Sequence, residues 1–218
     1  MNDAKGFFYD VSRYRAAGKC TPLLLLAACV FFVAGCAGRR DAPHKVGLLL
    51  PLTGRGSGAA MRVVEMQEKA AMEMVEEVNA AGGINGRRVE LLIEDTGADR
   101  ARALVAVKRL LEVDYALVLI YPGWGGMSKS IPELVRRSRT PMVYTSYRGG
   151  GLPYDTKWLL VKNRALAPGG DVSGEDSVRA AVQDVEESLR AALDAISECG
   201  IDKARIRGGI EDSMLGIR

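Results

Sequence analysis

Strand-length apolar runs alternate with amphipathic helical segments along much of the chain. The first run, Lys45-Val-Gly-Leu-Leu-Leu50, is apolar on both faces, which is typical of a buried parallel strand. The predicted strands are 45–50, 88–94, 115–121 and 141–145, and the predicted helices between them are 59–80, 98–112 and 127–139. Parallel strands need crossover connections that run over the faces of the sheet. The pattern therefore predicts an α/β fold with an open parallel sheet and helices on both faces.

The helical pattern is strongest between residues 59 and 80. Apolar residues from Ala60 to Val78 fall on one face, and Gln67 is the only polar residue among them. Gly82-Gly83 follows directly, as expected where a helix ends. After Gly151 the alternation changes: 157–162 predicts a fifth strand, and a long amphipathic helix to about residue 198 precedes a short basic tail.

Three segments around the predicted strand ends have distinctive sequences: Lys45-Val-Gly-Leu-Leu-Leu-Pro-Leu-Thr-Gly54, Asn79-Ala-Ala-Gly-Gly-Ile-Asn-Gly-Arg-Arg88 and Glu94-Asp-Thr-Gly-Ala-Asp99. They resemble the first lobe of periplasmic solute-binding proteins of the branched-chain amino acid and amide/urea group. The second is the most specific, because it joins a helix end, a double glycine and an Ile-Asn-Gly turn before a strand. The resemblance implies a type I periplasmic-binding-protein lobe over residues 45–151, with 152–218 as a C-terminal extension.

Candidate ligand-binding residues follow the third and fourth strands. Ligands of open parallel sheets bind outside the carboxyl ends of the strands. In the resembled family the loops after these two strands hold the polar head of the ligand through hydroxyl and backbone N–H groups. By position these residues are Trp124, Gly125, Gly126, Tyr144, Thr145, Ser146 and Tyr147. Trp124 is equally well interpreted as a plug in the core, and Tyr144 as a residue packed under the sheet. Family members usually carry a serine near Trp124, which this chain lacks until Ser128, so specificity for amino acids does not follow.

The amino-terminal segment has the order of a secretory signal. Arg13, Arg15 and Lys19 precede an apolar run, which ends in Val33-Ala34-Gly35-Cys36. The run is about fifteen residues long, shorter than the ~20 that a helix needs to cross a bilayer. The small residues before a cysteine resemble a bacterial lipobox, which implies cleavage after residue 35, a lipid on the Cys36 thiol and a tether over 36–44. We expect a lipid-anchored protein on the extracytoplasmic side of a membrane; an uncleaved anchor is the alternative.

Charge, cysteine content and motifs narrow the classes of function that the chain can have. Residues 1–40 carry a net charge of +4 within a chain total of +3, so the remainder is near −1 and the basic balance gives no support for nucleic-acid binding. Cys199 is the one cysteine outside the signal and lipid site, and His44 is the only histidine, which disfavours a zinc site. The glycine loop 54–58 lacks the Gly-Lys-Ser/Thr ending of a phosphate loop. We expect no metal, no cofactor and no enzymatic activity.

The expected function is a lipid-anchored substrate-binding component of an ABC-type importer. Its partners would be a small polar solute of the branched-chain amino acid, amide or urea class, an ABC permease and, through the lipid, the membrane. The 67 residues after Gly151 are too few for a second lobe of ordinary size. The expectation is therefore a truncated or single-lobed protein. The alternative is an envelope lipoprotein that uses one lobe for sensing or protein interaction without transport.

Overall fold

A computed structural model describes residues 42–54, 56–124, 126–146, 157–163 and 174–215. The predicted signal, Cys36, Gly125 and Tyr147 lie outside the described residues. Five strands are present: β1 (His44–Leu50), β2 (Val89–Asp95), β3 (Val118–Pro122), β4 (Met142–Ser146) and β5 (Leu159–Asn163). The helices are α1 (Gly58–Ala80), α2 (Arg100–Glu112), α3 (Ile131–Ser138), α4 (Glu175–Cys199) and α5 (Lys203–Met214). No helix in these ranges is both long enough and apolar enough to cross a bilayer.

The strands form one parallel sheet in the order β2-β1-β3-β4-β5. Leu50 at the end of β1 pairs with Asp95 at the end of β2, and Pro122 of β3 pairs with Thr145 of β4. The strands therefore end together along one side of the sheet, which we call the carboxyl edge. The opposite side is the amino edge. The predicted α/β fold with a parallel sheet is confirmed, and so is the fifth strand.

Helices cover both faces of the sheet, as predicted. On one face, buried residues of α1 and α4 pack on the central strands; the shared cluster includes Val64 and Val75 of α1 and Val185 and Leu189 of α4. On the other face, α2 and α3 form a second cluster with the sheet, which includes Leu110 and Val135. Burying a side chain of this size stabilises a fold by ~1.5–3 kcal/mol, so the two layers hold the strand ends in place.

Gln67, the only polar residue on the apolar face of α1, has a structural explanation. Gln67 is fully buried, and its side-chain Nε2 donates to the backbone oxygen of Ala181 in α4 at 2.8 Å. Its Oε1 accepts from the indole Nε1 of Trp124 at 2.9 Å. A buried polar group is tolerated where its hydrogen bonds are made. Gln67 thus links α1 to α4 and to the loop after β3.

The predicted basic tail after Gly200 is wrong, because those residues form α5. Asp202 caps the helix by accepting from the backbone N–H groups of Ala204 and Arg205. Ile206 and Ile210 are fully buried in the cluster shared with α4. Two consecutive glycines, which have low helix propensity, hide this helix in the sequence.

The turn between α1 and β2 explains the most specific resembling segment. The Asn79 side chain donates to the backbone oxygen of Val89 at 2.9 Å and accepts from its N–H at 2.7 Å, imitating a strand partner. Gly83 has a φ of +75°, and a Cβ there would lie 2.1 Å from the backbone oxygen of Arg87. This position therefore requires glycine for both its conformation and its space.

Lowering the pH should destabilise the protein through His44, which is 2% exposed. Burial, followed by the charge of Arg87, lowers the pKa of His44, although its bond to the backbone oxygen of Ile84 acts in the opposite direction. Protonation would also place a proton on Nδ1, which is buried and has no hydrogen-bond partner in the described residues. The unfolded chain, with a His pKa of ~6.5, therefore binds the proton more readily.

Stability from neutral His44 is present above pH ~6.5 and is lost as the pH falls below that value. We expect the urea midpoint to decrease between about pH 7.5 and about pH 5.5. His44→Gln should show a smaller decrease over the same interval, because it cannot titrate there. An equal decrease in both proteins would contradict the assignment.

Candidate functional site

The loops that follow the strands meet at the carboxyl edge. The backbone N–H of Gly123 donates to the oxygen of Thr145 at 2.9 Å, which joins the loop after β3 to the end of β4. At the other end of the edge, the N–H of Thr96 donates to the oxygen of Leu50 at 2.8 Å. These bonds bring together the strand ends that the sequence predicted to form the ligand crevice.

Trp124 lies between the sheet and two helices. Its indole ring is half-buried and packs in a cluster with Val63 of α1 and Ala181 of α4. Its N–H is engaged by Gln67, as described above. The ring therefore fixes the loop after β3 against α1 and α4.

Two tyrosines support this loop from the face covered by α2 and α3. The Tyr121 and Tyr144 rings meet edge to face, with centroids 5.4 Å apart. The Tyr121 hydroxyl donates to the backbone oxygen of Gly126 at 3.0 Å, and burial, followed by the proximity of Tyr144, raises the pKa of Tyr121 well above its usual range. Tyr144 is 3% exposed, so its side chain lies beneath the edge.

The hydroxyl residues at the end of β4 lie beside this loop. Thr145 and Ser146 are 3% and 7% exposed, although both stand at the end of their strand. Gly126 has a φ of +75°, which is suited to glycine. The structure thus places Trp124, Gly126, Tyr144, Thr145 and Ser146 around one pair of strand ends, while the predicted residues Gly125 and Tyr147 lie outside the described residues.

A second polar cluster lies at the ends of β1 and β2, and sequence reasoning missed its pairing. The Asp95 carboxylate accepts from the Thr53 hydroxyl at 2.5 Å and from the Gly97 N–H at 2.8 Å. The Arg102 guanidinium forms an ion pair with it at 2.5 Å. Burial raises the pKa of Asp95, but hydrogen bonds from Thr53 and Gly97 and the charge of Arg102 outweigh it and hold that pKa below its usual value. The ionised carboxylate clamps the loop after β1.

The described residues of the carboxyl edge supply hydrogen-bond donors and acceptors. The hydroxyls of Thr145 and Ser146, the backbone of the loop after β3 and the half-buried indole of Trp124 lie around the ends of β3 and β4. Within the described ranges, no three His, Cys, Asp or Glu side chains are grouped to hold a metal ion. Small-molecule sites in proteins commonly use a few placed hydroxyl and backbone groups of this kind to orient a ligand.

Comparison with curated proteins finds partial relatives. The chain is 31% identical over 173 residues to the chemotactic signal transduction system substrate-binding protein BasB of Halobacterium salinarum, covering 74% of this chain and 38% of that protein. It is 29% identical over 96 residues to an amino acid binding protein of Pseudomonas aeruginosa, covering 44% of this chain and 25% of that protein. The chain spans less than two fifths of the length of either relative.

Solved structures show a similar partial overlap. The branched-chain amino acid transporter substrate-binding protein LivJ of Streptococcus pneumoniae, solved with isoleucine, matches with a TM-score of 0.47 and 21% identity. That match covers 55% of this chain and 33% of LivJ. The leucine-binding protein LivK of Thermotoga maritima matches with a TM-score of 0.40 and 23% identity, covering 54% of this chain and 31% of LivK.

The family comparison covers the sheet itself. The model of the periplasmic binding protein family matches residues 43–160, which is more than half of the chain and includes β1 to β4 and the start of β5. The resemblance found in the sequence is thereby confirmed, and the chain belongs to the periplasmic binding protein family.

Proposed function

We propose that this protein binds a small polar solute at the carboxyl edge, as the lipid-anchored substrate-binding component of an ABC-type importer. The solute class is that of branched-chain amino acids, amides or urea. The protein acts by binding, without catalysis. The observation that carries this proposal is the convergence of the loop after β3 on the end of β4, where Thr145 and Ser146 stand beside glycine backbone.

The solute would be held by hydroxyl and backbone groups. Thr145 and Ser146 would contact its polar head, Gly125 and Gly126 would offer backbone donors, and Trp124 would wall one side. Tyr144 would position the loop from beneath, while Tyr147 would extend the polar surface. A single lobe covers only part of a ligand and leaves the rest in water. The affinity expected for the described lobe is therefore limited.

Replacing Thr145 with valine should weaken solute binding about tenfold, the equivalent of one lost hydrogen bond of ~1–1.5 kcal/mol. The substitution keeps the side-chain shape and removes the hydroxyl. Calorimetric titration with isoleucine, acetamide and urea measures the effect. Ser138→Ala, at the amino edge, is the matched control and should bind as the wild type does. If the wild-type protein binds none of these three solutes, the proposal that it binds solute by itself is contradicted.

The proposed lipid anchor is attached at Cys36. The support is the sequence order of basic, apolar and small residues before this cysteine. In a bacterial host, the wild-type protein should take up a labelled fatty acid and partition with membranes, whereas Cys36→Ser should do neither. Equal labelling of both proteins would refute the anchor at this residue.

A sensing role without transport is the second candidate. The relative from Halobacterium salinarum, which is described as part of a chemotactic signal transduction system, favours it. In this role the lobe would present its solute or its surface to a receptor. Capture of a receptor but no permease by the anchored protein would favour sensing, and capture of a permease would favour transport.

A further inference from the structure

A cleft lined by cations lies at the amino edge, on the opposite side of the sheet from the proposed solute site. It occupies about 580 Å³ between the end of α3, the start of β5 and the start of α5. Its lining residues are Arg136, Arg139, Lys157, Trp158, Asp202, Lys203 and Ala204. We call it the basic cleft. Its volume is within the range of small-molecule sites.

The positive charge of this cleft is mostly unbalanced. Glu133 neutralises Arg136 through two hydrogen bonds of 2.7 and 2.8 Å. In the described part of the chain, Arg139, Lys157 and Lys203 are in no ion pair with a carboxylate. Asp202 is the only acidic residue of the lining. Three unneutralised cations around one cleft favour a ligand that carries more than one negative charge.

Lys203 is held in place and partly dehydrated. Its Nζ donates to the Thr140 hydroxyl at 2.6 Å, and Thr140 is fully buried. Lys203 is half-buried, and this burial lowers the pKa of its ammonium because it disfavours the charged form. An anion in the cleft would restore favourable interactions to this charge. Because the ammonium is already positioned, ordering it costs little when a ligand binds.

The negative charge of Asp202 repels an anion in the cleft less than a free carboxylate in the lining would. One of its carboxylate oxygens accepts from the backbone N–H groups of Ala204 and Arg205 at 2.9 and 3.2 Å. Those bonds place the negative charge at the positive end of α5. Asparagine caps a helix about as well as aspartate, so the charge can be removed separately from the cap.

We propose that the basic cleft binds a phosphorylated small molecule through its phosphate group. The phosphate is a dianion at neutral pH, and the Arg139 guanidinium suits its oxygens as a two-pronged donor. Lys157 and Lys203 supply point charges, and the half-buried ring of Trp158 supplies an apolar wall for the organic part. The phosphate monoester belongs either to a free small molecule or to the head group of phosphatidic acid. This proposal is independent of the function assigned to the carboxyl edge.

The test uses the full protein with phenyl phosphate at low ionic strength, followed by Trp158 fluorescence and calorimetry. Arg139 has a φ of +50°, a conformation that asparagine tolerates better than most residues. Arg139→Asn should therefore fold at least as well as the wild type. It should bind at least about tenfold more weakly, since it loses the two charge-assisted hydrogen bonds of the guanidinium. Asp202→Asn should bind more tightly, and Trp158→Phe should lose the fluorescence change.

Vesicles separate the two sources of phosphate. Binding to vesicles that contain phosphatidic acid, a lipid phosphate monoester, identifies a lipid head group if Arg139→Asn weakens it and phenyl phosphate does not bind comparably. Binding of phenyl phosphate with no vesicle binding identifies a free ester. No binding in either arm would overturn the proposal, and so would equal binding by wild type, Arg139→Asn and Asp202→Asn. Equal binding to phosphatidylcholine vesicles, unaffected by Arg139→Asn, would overturn it as well.

Discussion

Gly123→Ala is expected to lower the free energy of unfolding and to impair the proposed solute site. A Cβ at this position would lie 2.4 Å from the Tyr144 hydroxyl oxygen and 2.7 Å from the backbone oxygen of Thr145. The Tyr144 hydroxyl is attached to a ring that packs against Tyr121, and the Thr145 oxygen is part of the backbone at the end of β4. Neither is the free end of a flexible side chain. Overpacking of this kind costs about 1–3 kcal/mol.

The loop after β3 must move away from β4 to accommodate this methyl group. The N–H of Gly123 then loses its 2.9 Å bond to Thr145, and the proposed ligand contacts separate. Urea unfolding measures the change in stability, and titration with the solute panel measures the loss of binding. Gly208→Ala in α5 is the matched control, because a Cβ there meets nothing within 4 Å. It should stabilise the helix by ~0.5–1 kcal/mol. A wild-type urea midpoint for Gly123→Ala would contradict the described packing.

Trp124→Ala is the second large effect, with an expected loss of about 3 kcal/mol in unfolding free energy, near the lower end for a tryptophan in a core. The ring is half-buried and packs on α1 and α4, and its N–H donates to Gln67 at 2.9 Å. The substitution removes the packing and one of the hydrogen bonds of a fully buried amide. It should therefore release the loop after β3 and loosen α4.

Trp124→Phe separates packing from hydrogen bonding. It retains an aromatic ring and removes the indole N–H, so we expect a smaller loss of about 1–2 kcal/mol. Denaturant unfolding of the three proteins should give free energies of unfolding that decrease in the order wild type, Trp124→Phe, Trp124→Ala. If Trp124→Ala unfolds at the wild-type midpoint but binds solute poorly, Trp124 only lines the pocket. That result would contradict the claim that Trp124 stabilises the fold.

The sequence predicts the sheet well because its signals are local. The run 45–50 is apolar at nearly every position, and each helix between 58 and 138 carries a one-sided apolar pattern. Gly82-Gly83 marks the end of α1 within two residues. Parallel strands separated by helices leave few arrangements of the chain, so the sheet and its carboxyl edge follow.

The contacts that shape the site could not be predicted, because they join distant residues. In the sequence, Gln67 is an unexplained polar residue on an apolar helix face. Its hydrogen-bond partner, the backbone oxygen of Ala181, is 114 positions away. Thr53 and Asp95 are 42 positions apart, and each is an ordinary loop residue alone. Tyr144 could equally face a ligand or the core until its contact with Tyr121 is known. Helix α5 was missed because its glycines weaken the local signal that its buried isoleucines would give.

The central claim is that solute binds at the carboxyl edge, beside the ends of β3 and β4. Amide chemical shifts of the labelled protein, recorded during titration with isoleucine, acetamide and urea, test it directly because they report weak binding residue by residue. At least one of these solutes should shift the signals of Gly123, Trp124, Gly126, Thr145 and Ser146 in a saturable way. Shifts confined to the amino edge, or an unchanged spectrum with every solute, would contradict the claim.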